Sequence, residues 1–166
     1  QRMINHGRSI LIEGHQGFGL SNYHGDYPYT SSRDSTAASM LAEIGLGPRQ
    51  ENLRIVLAVK IFPTRNHAGR LDGELSNKEI RGLGIHEEGG GAWDIPNRPR
   101  RVGMLDFKIV ERAIIANSPT EIALTGADYL AKFPAAKDHL YKLILTIKEM
   151  GGIDVRRRSF RGRGRR

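Results

Sequence analysis

Short apolar runs that stop at glycine, proline or polar residues alternate here with stretches at helical spacing, and this alternation constrains the fold more than any other feature. Ile10, Leu11 and Ile12 lie within residues 9–13 and end at Gly14, which predicts a short buried strand. Residues 53–62 are rich in Ile, Val and Leu and break at Pro63, a second buried strand. Residues 120–125 form a third candidate, ending at Gly126, and residues 153–155 a last short one. Between them lie three amphipathic stretches. Asp34 or Ser35 can cap a helix whose face is Ala37, Met40, Leu41 and Ile44, with Gly45 as the stop. Residues 106–116 place Phe107, Val110, Ala113 and Ile114 on one face. Residues 138–150 do so with Leu140, Leu143, Ile144 and Ile147, capped by Asp138 and stopped by Gly151. A short helix fits residues 76–81 within an otherwise loop-like stretch, 65–95, in which Gly89, Gly90 and Gly91 are the most permissive backbone. Strands alternating with helices indicate the α/β class, a partial sheet with flanking helices. Ligands of open α/β sheets bind where strands end.

The 166 residues suffice for one domain with a core, taken as residues 1–155. The formal charge of +8 belongs to the remainder: the seven arginines of residues 155–166 account for all but +1 of it. Residues 156–166 therefore read as a disordered Arg-rich tail, and the globular part is close to neutral. The chain has no cysteine, which excludes disulfides and thiolate chemistry and fits a reducing cytoplasm. No apolar run approaches the ~20 residues that span a bilayer, so no membrane association is expected. The sequence opens with Gln1, as a fragment or a processed product would.

Four segments carry polar groups suited to chemistry, and each has a plainer explanation. SILIEGHQGFGLS at residues 9–21 runs from a strand into glycines that let backbone amides approach a phosphate or base. No Gly-Lys-Ser/Thr follows, so it is no P-loop, and taken alone the segment reads better as a structural turn. Gln16 in its centre can donate to and accept from a hydroxyl or purine edge. YPYTSSRDST at residues 27–36 combines hydroxyls, Arg33 and a helix start, as an anion pocket or a simple capped helix would. RPRRVG at residues 98–103 offers arginine forks for carboxylates and phosphates, or is a solvated basic run. ALTGAD at residues 123–128 ends a strand with an acid that can read guanine or cap a turn. The six histidines form no metal-spaced set, and His15, His24 and His86 are solvated or structural on this reading.

Taken in order, IEGHQGFGLS, YPYTSSRDSTAA, RRVGMLD and ALTGADYL, joined by FPTRNHAG, resemble adenylosuccinate synthetase over about residues 9–130. The resemblance implies the fold of that P-loop-NTPase-like family, with its N-terminal strands missing, and a GTP-dependent carbon–nitrogen ligase of purine biosynthesis. Such an enzyme joins IMP to aspartate with GTP and Mg2+ in the cytoplasm. By position, Gln16 and Ser31 fall at IMP-binding residues, Arg98 and Arg100 at arginines of the aspartate-binding loop, and Asp128 at the guanine-reading aspartate. Ile95, Pro96 and Asn97 stand in place of a Thr-Thr-Gly-like run, and Gly126 in place of a lysine. The family's phosphate loop, with its catalytic base, acid and Mg2+ ligands, has no counterpart in this sequence. The expectation is that this chain alone is inactive, with no catalytic or metal-binding residue of its own. Family members commonly pair as homodimers. The other reading of the sequence is a non-catalytic nucleotide- or RNA-binding module working through the Arg-rich tail.

Overall fold

The computed structural model describes residues 9–50, 52–66, 68–85, 101–149 and 154–157. Its centre is a three-stranded parallel sheet in the order β1-β4-β5, formed by Val56–Lys60, Glu121–Thr125 and Asp154–Arg157. Val56 to Lys60 lie opposite Glu121 to Thr125 in register, and Glu121 to Leu124 opposite Asp154 to Arg157. A second, minimal ribbon pairs β2 (Thr64–Arg65) with β3 (Arg101–Val102) in antiparallel register. The helices are α1 (Ala37–Glu43), α2 (Asn77–Leu83), α3 (Phe107–Asn117) and α4 (Pro134–Glu149). Two short 3-10 turns, Phe18–Leu20 and Ala127–Ala131, follow the glycines Gly17 and Gly126.

Each helix end has a local cause. Asp106 caps α3 by accepting the Lys108 amide at 2.9 Å. Ser76 and Glu79 form a reciprocal capping box on α2, and Gly84 ends that helix at φ 64°. The cap of α1 is Thr36, whose hydroxyl accepts the Ser39 amide at 3.3 Å, not Asp34 or Ser35. α4 begins one turn before Asp138, because Pro134 is well suited to a first helical turn where no N–H is needed.

The core lies where α3, α4 and the sheet meet, with Ile122, Leu124, Leu143, Ile147, Val110 and Ile114 buried together. Phe62 joins it and meets the rings of Tyr129 and Phe133 edge-on at 6.3 and 6.2 Å. Alternation on β4 buries Ile122 and Leu124 and leaves Glu121, Ala123 and Thr125 on the opposite face.

Three strand expectations need correction. Residues 9–13 form no strand, and Leu11 is 92% exposed. An apolar run becomes a strand only if a neighbour takes its backbone hydrogen bonds, and none of the described residues does so here. β1 is also shorter and more open than residues 53–62 implied. Val56, Ala58 and Lys60 face solvent while Val59 is buried, because only one face of β1 is covered, and among the described residues β1 is an edge of the sheet. β5 extends past Val155 to Arg157, since main-chain pairing to β4 accepts arginine as readily as any residue. The expected glycine-rich stretch at residues 89–91 and the rest of the tail, 158–166, lie outside the described residues.

Candidate functional site

Two loops with distant sequence roles are stitched together at their bases. The first carries Gln16 between residues 9–15, which form no regular element, and the 3-10 turn Phe18–Leu20. Gln16 is exposed. The second, residues 21–36, leads into α1 and carries Ser31. The Ser35 hydroxyl donates to the Gly17 carbonyl at 3.2 Å, one residue from Gln16. The Ser31 amide donates to the Leu20 carbonyl at 2.8 Å, and its hydroxyl lies 2.9 Å from that oxygen and 3.0 Å from the Arg33 carbonyl. Asn22 N–H reaches the Arg33 carbonyl at 3.0 Å and closes the loop neck. Gly25 is required inside this neck: a Cβ there would stand 2.6 Å from the Gly19 and Ser21 carbonyl oxygens.

Asp34 stands at the base of both loops. Its Oδ1 accepts the Ser21 hydroxyl at 2.7 Å, and its Oδ2 accepts the Thr36 hydroxyl. Ser21 Oγ in turn accepts the amides of Tyr23 and His24 at 3.1 and 3.0 Å. Burial works to raise the pKa of Asp34, but hydrogen bonds from Thr36, Ser21 and the Ser35 amide, with the charge of His24, outweigh it. The net direction is downward, so the group is a carboxylate at neutral pH.

α3 supports this frame from below. Buried Asn117 accepts the Ala37 amide on its Oδ1 at 2.7 Å and donates its Nδ2 to the Ala113 carbonyl at 2.8 Å. Arg112 donates to the His24 carbonyl and lies with its guanidinium carbon 6.0 Å from the centre of the Phe18 ring. Phe18 stacks on His24 at 5.2 Å with an interplanar angle of 18°. Arg65 holds the far side of the loop by donating to the Tyr29 carbonyl at 2.7 Å.

The remaining expected residues fall elsewhere. Asp128 is exposed in the first turn after Gly126, at the end of β4. No hydrogen bond or ion pair among the described residues engages its carboxylate or joins it to Gln16 or Ser31. Arg98 and Arg100 lie outside the described residues. Their neighbour Arg101 is committed internally: its Nε and Nη2 meet the Glu74 carboxylate at 2.7 and 2.5 Å, and its Nη1 the Gly69 carbonyl at 2.9 Å. The Glu74 hydrogen bond raises the Arg101 pKa and the same contact lowers that of Glu74. Among the described residues, no group of three or more His, Asp or Glu could hold a metal ion, and no helix is long and apolar enough to cross a membrane.

The family model of adenylosuccinate synthetase matches residues 1–138. This chain belongs to the adenylosuccinate synthetase family. It is 38% identical over 159 residues to the adenylosuccinate synthetase of Methanocaldococcus jannaschii, covering 92% of this chain and 45% of that protein. With the Archaeoglobus fulgidus enzyme it shares 40% identity over 129 residues, covering 78% of this chain and 37% of the relative. Among solved structures, the fully ligated adenylosuccinate synthetase of Plasmodium falciparum superposes with a TM-score of 0.62 at 31% identity, over 78% of this chain and 30% of that one. The cyanophage S-2L succinoaminodeoxyadenylate synthetase, solved with dGMP and dATP, gives 0.67 at 26% identity over 86% and 41%. The chain thus spans less than half the length of these relatives, whose family consists of ligases. The α/β fold expected for the family is the one observed, a small parallel sheet with helices around it.

Sequence reasoning named Gln16, Ser31 and Asp128 but missed the groups that hold the first two in place. Asp34 entered only as a helix cap, and Ser21, Asn117 and Arg112 not at all. The spacing Asp34-x-Thr36 was a usable signal, since two acceptors ahead of a helix imply that one serves something other than the cap. The contact from Asn117 to Ala37 spans 80 residues and leaves no local trace.

Proposed function

We propose that this chain is the IMP-binding part of an adenylosuccinate synthetase, and that it does not complete the reaction alone. In the reaction, the γ-phosphoryl group of GTP passes to O6 of IMP, giving GDP and a 6-phosphoryl intermediate. The aspartate amine then attacks C6, forming the C–N bond as inorganic phosphate leaves. Phosphoryl transfer depends on positioning and charge neutralisation more than on covalent help from the protein.

The observation that supports the reading is the stitching of the Gln16 turn to the Ser31 loop through Leu20, Gly17 and Ser35. It joins Gln16, whose amide can donate and accept, and Ser31, which carries a hydroxyl, on one connected frame. On this reading Gln16 meets the purine and Ser31 the phosphate. Asp128, whose carboxylate lacks an internal partner among the described residues, accepts from the N1–H and 2-amino group of guanine in GTP. Arg98 and Arg100 bind aspartate, and two copies pair as in a homodimer of the cytoplasmic enzyme. The described residues offer Mg2+ no cluster of carboxylates.

Calorimetric titration of the whole chain with IMP tests the proposal. Binding is expected, and Gln16→Ala should weaken it. Absence of IMP binding refutes the reading, and measurable turnover of IMP, aspartate and GTP by the purified chain refutes the claim of inactivity.

A further inference from the structure

We propose that Asp34 is a positioning residue for the nucleotide phosphate: with Ser21 it fixes a backbone frame from which the Ser31 hydroxyl turns outward to donate. This rests on the IMP reading above and adds how the donor becomes available.

The Ser31 hydroxyl has one proton, and it lies between two carbonyl oxygens, Leu20 at 2.9 Å and Arg33 at 3.0 Å. Donation to a phosphate requires leaving both. Each carbonyl, however, already has a second donor. Leu20 O accepts the Ser31 amide at 2.8 Å, and Arg33 O accepts the Asn22 amide at 3.0 Å. Turning the hydroxyl outward therefore orphans no acceptor, and the main cost of breaking a partly buried hydrogen bond is avoided. The release is cheap only while those two backbone bonds persist.

Asp34 keeps them in place. A carboxylate only accepts, so the Ser21 and Thr36 hydroxyls must both aim their protons at it. Their oxygen lone pairs are then free to accept amides: Tyr23 and His24 on Ser21, and Ser39 on Thr36. Ser21 is fully buried, at 0% exposure, between Leu20 and Asn22, the two residues whose carbonyl and amide close the neck on Ser31 and Arg33. An amide in place of the carboxylate offers one acceptor and one donor. One hydroxyl must then accept from it: at Ser21 the new N–H competes with the Tyr23 and His24 amides for the oxygen, and at Thr36 the hydroxyl proton loses its acceptor.

The test compares IMP with inosine, which lacks the phosphate, by calorimetry on the whole chain. The wild type should bind IMP more tightly. Asp34→Asn should cut IMP affinity about tenfold while leaving inosine within about twofold. Ser31→Ala should show the same selective loss, and the double variant no further loss. A purely structural role would weaken both ligands equally; that result, or unchanged IMP affinity, overturns the proposal. Should the wild type bind neither ligand, the IMP reading fails by itself. Amide hydrogen exchange then decides the positioning claim. Asp34→Asn should speed exchange at Ser31, Tyr23 and His24 and leave Ile122 and Leu124 unchanged, whereas unaltered exchange at Ser31 refutes it.

Discussion

Residues 9–36 and the strands β1 and β4 bury opposite kinds of group. In the first region the two buried residues are Ser21 and Thr36, both hydroxylic, and both bonded to Asp34. In the strands the buried residues are Val59, Ile122 and Leu124, all apolar. One region is shaped by directional bonds with little area removed from water. The other is stabilised by area and has little directional content. A loop that presents ligand-binding groups needs defined geometry more than stability, and hydrogen bonds supply it. The sheet beneath it supplies the free energy.

This contrast can be broken experimentally, starting with the largest effect. Ile122→Ala empties a fully buried position at the centre of the sheet and should cost about 2–5 kcal/mol in urea unfolding, since the surrounding layers collapse only partly. Gly25→Ala, in the polar region, should cost less, about 1–3 kcal/mol, by forcing two carbonyl oxygens away from the new methyl group. Its damage should appear as faster amide exchange in residues 21–33, with the sheet amides unaffected. Equal exchange in both regions would show that the two regions unfold as one.

Phe18→Leu or Arg112→Lys should cost about 0.5–1 kcal/mol, the range of an exposed cation–π contact. Phe18→Tyr, which keeps the ring face, should restore most of it. If leucine serves as well as tyrosine, the contact is packing alone. The last prediction concerns acid. The Asp34 pKa is lowered on folding, so its contribution is fully present above the unfolded-state value near 3.8 and is lost as pH falls through the lower folded value. The stability difference between wild type and Asp34→Asn should therefore vanish at the acid end of a urea–pH series and be constant at neutral pH. A difference that persists in strong acid would locate the effect in shape rather than charge.

The elements that were legible in the sequence are those with local causes. α3 shows its apolar face at Val110, Ala113 and Ile114 without reference to anything distant. α2 falls at the short helix expected over residues 76–81. β4 ends where Gly126 takes up a left-handed backbone at φ 76°. Residues 9–13 carry a similarly plain apolar run, yet Ile10 and Leu11 stay exposed, because strand formation depends on a partner that local composition does not reveal.

By itself, then, the sequence determined the helices, the end of β4 at Gly126 and, through four ordered segments, the family. Those depend on residue spacing, capping and turn chemistry, which act over a few residues. Tertiary structure alone decided that β1 lies at an edge, that Arg101 is held by Glu74, and that Asp34 joins Ser21 to Thr36. Those outcomes depend on which groups meet across 13, 27 or 80 residues of chain, and a donor's choice of acceptor is settled only once both are held within 3 Å or so.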